Sequence, residues 1–179
     1  MMKRSLLFAT AGAMVLSLNA CDHEAKPPAA DAKICDSTMA SWWYDASGAP
    51  KLTGSRTGSL PLKNPEQKED TFRAAECDVR SDGKRVASFR AELALKVNAY
   101  NLGVSLRECP EARKFAVAGG TGCVQQDTDD GVSRALWLCK TTILHVELLK
   151  PRDKKTRADL VKALAQHIAD VTGCPGPDA

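Results

Sequence analysis

Residues 86–99 read Val86-Ala87-Ser88-Phe89-Arg90-Ala91-Glu92-Leu93-Ala94-Leu95-Lys96-Val97-Asn98-Ala99. Ala87, Phe89, Ala91, Leu93, Leu95, Val97 and Ala99 alternate with Ser88, Arg90, Glu92, Lys96 and Asn98, and only Ala94 interrupts the polar set. Successive side chains of a strand point to opposite faces, so the pattern predicts one long strand with a single buried side. Asp82-Gly83 just before it supplies a hairpin turn. A two-residue turn would set Cys77 opposite Ser88 on the wet face. A three-residue loop, Ser81-Asp82-Gly83, pairs Cys77 with Ala87 and Ala75 with Phe89. The second register buries the cysteine and is the one expected.

Working outward, Cys109-Pro110 breaks the chain, and Lys114–Ala118 reads as a short strand. Gly119-Gly120-Thr121-Gly122 lacks the Gly-Lys-Ser/Thr ending of a phosphate loop, so a turn or bulge is expected there. Cys123–Gln126 and Arg134–Cys139 read as strands around the acidic turn Asp127–Gly131, and Thr142–Leu149 as a further strand. Towards the C-terminus, Leu160, Val161, Leu164, Ile168 and Val171 form a helical apolar stripe. Thr156 with Asp159 caps its start, and Gly173 followed by Pro175 stops it. Towards the N-terminus, Cys35, Met39, Trp42 and Ala46 fall on one helical face of Ile34–Ala46. Ser47–Asp70, rich in Gly and Pro, reads as a long surface loop. The expected fold is α+β: an antiparallel sheet with a short N-terminal helix and a C-terminal amphipathic helix, stabilised by disulfides.

The chain has 179 residues, seven of them cysteines, and a formal charge of +3. Lys3 and Arg4 lie in a leader without acidic residues, and without them 23 basic residues face 22 acidic ones. That near-neutral remainder gives no electrostatic reason to bind nucleic acid. Residues 1–20 read as an export signal, with an apolar run from Leu6 to Leu18 that is short for a membrane span. The sequence Leu18-Asn19-Ala20-Cys21 resembles the lipobox of bacterial lipoproteins, with Asn19 in place of the usual Ala or Ser. The resemblance implies cleavage before Cys21 and a diacylglyceryl group on its thiol. It implies a chain held to the cell membrane on the extracytoplasmic face, with the lipid anchor as its membrane partner. Residues 21–33, with Pro27 and Pro28, then serve as a flexible tether. Asp22 resembles the inner-membrane retention signal of two-membrane bacteria. The whole chain is similar in layout to uncharacterised disulfide-containing lipoproteins of high-GC Gram-positive bacteria, a family that implies no activity. A single domain over 34–175 and a tail at 176–179 complete the organisation.

Without Cys21, the cysteines are Cys35, Cys77, Cys109, Cys123, Cys139 and Cys174. No two stand closer than fourteen positions, so CxxC metal or redox sites are absent. Three disulfides are expected, from fifteen possible connectivities. Cys35–Cys77 would tie the first helix to the hairpin. Cys109–Cys123 and Cys139–Cys174 are favoured for the rest, against Cys123–Cys139 with Cys109–Cys174.

No catalytic constellation emerges. GxSxG is missing, and His145-Val146-Glu147 has the H-x-E spelling of zinc deaminases without their second cysteine motif. On a strand His145 and Glu147 share a face, where a hydrogen-bonded pair is the plain reading. His167 is expected at the edge of the last helix's stripe, and His23 in solvent. No metal or cofactor is expected. The expected role is a non-catalytic binding or interaction module of the cell envelope, with an envelope enzyme lacking a recognisable motif as the alternative. Its ligand or partner protein is not specified by any motif. The candidate binding surface is Trp43 and Tyr44 where they meet the Ser47–Asp70 loop. Neighbouring helical residues lie about 100° apart, so Trp42, Trp43 and Tyr44 cannot all face inward. Burial of both Trp43 and Tyr44 would remove that surface.

Overall fold

The computed structural model describes residues 26–58, 60, 74–125, 131–149 and 157–174. Strands β1 (Lys33–Ile34) and β2 (Thr38–Met39) form a small hairpin ahead of helix α1 (Ala40–Ser47). There follow β3 (Leu52–Thr57), β4 (Ala74–Ser81), β5 (Lys84–Leu93) and helix α2 (Lys96–Arg107). After a 3₁₀ turn at Glu111–Arg113 come β6 (Lys114–Val117), β7 (Gly120–Val124), β8 (Ser133–Cys139), β9 (Thr142–Leu148) and helix α3 (Arg157–Thr172). Seven strands make one antiparallel sheet in the order β3-β4-β5-β9-β8-β7-β6. The α+β architecture, the antiparallel sheet and the C-terminal helix agree with the sequence reading.

The β4–β5 hairpin corrects the expected register. Ser81 pairs with Lys84 across a two-residue turn, in which Asp82 and Gly83 hold φ of 48° and 75°. Those positive angles match the right-handed twist of the flanking strands. The register then shifts between Val79 and Arg80, so Arg80 faces Arg85 but Val79 faces Ala87. Val86 is the extra residue, and it and Ala87 are both buried. This bulge reverses the parity of the ladder, so Cys77 lands opposite the inward Phe89. The tight turn is therefore compatible with a buried cysteine, and the three-residue loop is not needed.

The predicted long strand ends at Leu93. The Leu95 carbonyl accepts hydrogen bonds from the N–H groups of Asn98 and Ala99 at 2.9 and 3.0 Å, and α2 begins. Ala99 and Leu106 turn inward, whereas Leu95, Val97 and Tyr100 are 64, 59 and 68% exposed. Residues 95, 97 and 99 fit a period of two, but 95 and 99 equally fit one turn of helix. The tertiary packing of Ala99 and Leu106 selects the helix.

The N-terminal region departs in a similar way. Ile34–Ala46 is not one helix: Cys35 and Asp36 adopt φ of 55° and 58° in the turn between β1 and β2. Left-handed residues cannot continue a helix, so α1 starts only at Ala40. The predicted Ser47–Asp70 loop contains the edge strand β3, which pairs with β4 from Leu52↔Ser81 to Thr57↔Glu76. Part of the expected 21–33 tether lies against the domain. The Ala32 carbonyl accepts from the Ala40 N–H at 2.8 Å, and Pro28 and Ala32 line a cleft with Tyr44. The leader, Cys21, His23, loop residues 61–70, the Asp127–Asp130 turn, Thr156 and Pro175 lie outside the described residues.

The main core fills one face of the sheet. Helix α3 packs on β8, β9, β7 and β6 and also touches α1. Its Val161, Leu164, Ala165, Ile168 and Ala169 are buried, with Leu160 partly covered beside them. They meet Phe89, Trp137, Leu144, Val146 and Leu148 from the strands. Gly120 and Gly122 are part of this packing. A Cβ on Gly120 would strike the Trp137 indole, and one on Gly122 the Phe115 ring. The glycine run opens β7 rather than forming only a turn, because two rings from neighbouring strands need the room.

The opposite face is treated differently along its width. Helix α2 covers the β7–β8 part. The β4–β5–β9 part stays open and carries Glu76, Asp78, Ser88, Arg90, Glu92, His145 and Glu147. Three disulfides staple the covering layers: Cys35–Cys77 holds the β1–β2 turn to β4, Cys109–Cys123 the end of α2 to β7, and Cys139–Cys174 the end of α3 to β8. All three are the pairings favoured from the sequence.

Candidate binding surfaces

Trp43 and Tyr44 do not form a surface. Because α1 starts at Ala40, its inward set is Ala40, Trp43, Tyr44, Ala46 and Ser47. Trp43 is 0% exposed and Tyr44 8%. The Trp43 indole N–H donates to Thr38 Oγ1 at 2.8 Å, and the Thr38 hydroxyl donates to the Ile34 carbonyl at 2.6 Å. The Trp43 ring also lies nearly parallel to Phe89, with centroids 6.2 Å apart. These contacts make Trp43 a keystone between the N-terminal hairpin and the sheet. Trp42, expected inside, is the half-buried member and stacks on His167 at 4.7 Å. The proposed aromatic site is therefore withdrawn.

Two concavities lie on the face opposite the main core. The first is the open β4–β5–β9 surface. Arg90 bonds Glu76 and Glu92 at 2.6 and 2.7 Å, and Arg134 bonds Glu147 at 2.9 Å. Arg85 reaches Glu147 at 3.4 Å and Asp78 at 3.7 Å. The hydrogen bond that Arg90 donates to Glu92, helped by Glu76, raises the pKa of its guanidinium. Each arginine of this ladder is already matched by carboxylates, which satisfies the surface internally. His145 and Glu147 share the face as expected, but Glu147 is engaged by the two arginines instead of the imidazole. Desolvation lowers the His145 pKa, Arg90 lowers it further, and Glu92 and Glu147 oppose the shift. Desolvation against the sheet thus outweighs the two carboxylates, although His145 itself is exposed to solvent.

The second concavity is a groove of about 490 Å³ between α2 and the end of the sheet. Gly103, Leu106 and Arg107 come from α2, Lys114 from β6, and Gly119, Gly120 and Thr121 from the β6–β7 hairpin. Leu138, Cys139, Lys140 and Cys174 close the other side. Local sequence explains the shape. Ala118 and Gly119 take φ of 49° and 74° in a two-residue turn, and Lys140 takes 54° at the β8–β9 turn. Two tight hairpins therefore end beside the last turn of α2. Their two neighbouring staples, Cys109–Cys123 and Cys139–Cys174, fix the walls.

The groove has an apolar floor and a cationic rim. Among the described residues Arg107, Lys114 and Lys140 line it, and no carboxylate does. Lys114 bonds Glu111 at 2.6 Å, but that carboxylate is 87% exposed. No motif announced this site, because its residues come from α2, β6, β7, β8 and the residue just past α3. The tight turns and the two cysteine pairs were its only visible traces. Among the described residues no cluster of three or more His, Cys, Asp or Glu could hold a metal ion. No described helix is long and apolar enough to cross a membrane. The chain matches no protein-family model, no curated protein and no solved structure.

Proposed function

We propose that this chain is a lipid-anchored extracytoplasmic module that acts by binding, at the groove beneath α2. The observation that carries the reading is the groove itself: an apolar floor with three cations at its edge and a disulfide on each flank. Fixing the walls before a ligand arrives reduces the ordering cost of association. The disulfides also suit an oxidising compartment, which agrees with an exported chain. The lipobox resemblance at Leu18–Cys21 supplies the anchor. Two acyl chains give stable membrane attachment where a single chain binds only reversibly.

Cell fractionation with Cys21→Ser tests the anchor. The native protein is expected in the membrane fraction with a lipid-modified N-terminal cysteine by mass spectrometry. The variant is expected to be released from membranes or to remain an uncleaved precursor. An unmodified mature N-terminus in the native protein would refute the anchor.

A further inference from the structure

We propose that the groove beneath α2 binds an anionic amphiphile: a phosphate or carboxylate head attached to an apolar chain. The inference rests on the reading of this groove as the binding site and adds the class of ligand. The floor consists of Leu106, Leu138 and the backbone around Gly119 and Gly120. Gly103 leaves the helix side open. A Cβ there would sit 3.5 Å from Leu138, in ordinary contact, so a longer side chain at 103 would extend into the space.

The rim sets the sign of the ligand. Arg107 and Lys140 form no ion pair among the described residues, and the partner of Lys114 projects into solvent. Arg107 and Lys140 share one opening with Lys114, and an anion placed between them reduces the repulsion of like charges. Arg107 adds a planar fork of donors suited to phosphate or carboxylate oxygens, and the lysines add point charges. On the open β4–β5–β9 face the arginines already hold Glu76, Asp78, Glu92 and Glu147, so an anion there would have to displace them.

The floor sets the rest of the ligand. An inorganic anion would leave the apolar surface wet, and an uncharged hydrocarbon would leave the cations uncompensated. Only a molecule with both parts satisfies both surfaces. A volume of about 490 Å³ falls within the usual range for small-molecule sites.

The test is calorimetric titration of the oxidised mature chain from residue 21, carrying Cys21→Ser so that no attached lipid competes. The probes are dodecyl phosphate and dodecanoate below their micellar concentrations, inorganic phosphate, and dodecyltrimethylammonium. Both anionic amphiphiles should bind about tenfold or more tighter than either inorganic phosphate or the cationic amphiphile. Arg107→Gln with Lys140→Gln should weaken binding by about fivefold or more, and Gly103→Leu should abolish it. Circular dichroism spectra of both variants should match the parent, showing that the fold persists. Equal affinity for anionic and cationic amphiphiles, or no loss in the folded variants, would overturn the assignment. The anchor is judged separately by its N-terminal mass. An unlipidated protein that binds dodecyl phosphate refutes the anchor and supports the groove, and a lipidated protein that binds neither anionic amphiphile refutes the groove.

Discussion

The two faces of the sheet solve the same problem in opposite ways. On one, α3 and α1 cover the strands with Val161, Leu164, Ile168 and Trp43, and the polar side chains enclosed with them are the hydroxyls of Thr38, Ser133, Thr142 and Thr172. On the other, α2 covers only part of the sheet, leaving a charged ladder beside it and a groove beneath it. The first face is given over to side-chain packing. The second keeps accessible chemistry and relies on a disulfide, Cys109–Cys123, to hold a helix with few buried side chains in place. Close packing and solvent access are thus divided between the sides of one sheet.

The sharpest contrast comes from adjacent residues of β8. Trp137 points into the main core and is fully buried, and Leu138 points towards α2 and is half-buried. Trp137→Ala should cost about 3–5 kcal/mol, through lost contacts and a cavity beside Gly120. Leu138→Ala should cost about 1–2 kcal/mol, since its site is already partly wet. Urea denaturation measures both. Equal costs would mean that the α2 face is as much a core as the other.

Removing staples probes the same division. The Cys139–Cys174 bridge closes a separation of 35 residues and Cys109–Cys123 one of 14. Loop-closure entropy makes them worth about 4 and about 3 kcal/mol respectively. Replacing each pair with alanine should preserve that order in thermal melts. The Cys109/Cys123 variant should additionally loosen α2, read as faster amide exchange over residues 96–107 than over α3.

An intermediate effect is expected at Thr142, whose Oγ1 is buried without a hydrogen-bond partner among the described residues. Burying an unpaired hydroxyl is unfavourable, so Thr142→Val should stabilise by about 1 kcal/mol at nearly constant volume. A loss of stability would show that the hydroxyl does find a partner.

These expectations mark how much the sequence disclosed. The main face was readable because its signals are local and repeated. Ala135, Trp137 and Cys139 alternate along β8, and Leu164 and Ile168 recur along α3. The cysteine pairs followed from the elements they join. The rest depended on distant contacts. The bulge at Val86 has no local signature, yet it changes the hairpin's parity. Cys35 and Asp36 take left-handed conformations without glycine, which delays α1 and turns Trp43 and Tyr44 inward. Leu95, Val97 and Ala99 carry strand and helix periods together, so α2 was hidden inside a strand pattern. With α2 unseen, the groove it covers could not be seen either.

The smallest effect concerns the open ladder. The folded-state pKa of His145 lies below its ordinary value, so the unfolded chain binds the proton more readily. Stability should therefore be fully present above the unfolded pKa of about 6.5 and decline as pH falls from there through the lowered folded value. His145→Gln should flatten that part of the pH–stability profile. An unchanged slope would assign the acid sensitivity to other groups.

The central claim, that the α2 face is the binding face, is tested most directly by amide chemical-shift mapping. The oxidised mature chain carrying Cys21→Ser would be titrated with sub-micellar dodecyl phosphate. The account predicts saturable shifts at Gly103–Arg107, Lys114, Gly119–Thr121 and Leu138–Lys140, with Glu76, Arg90 and His145 unmoved. Shifts centred on Glu76, Arg90 and His145, or no saturable shifts at all, would contradict it.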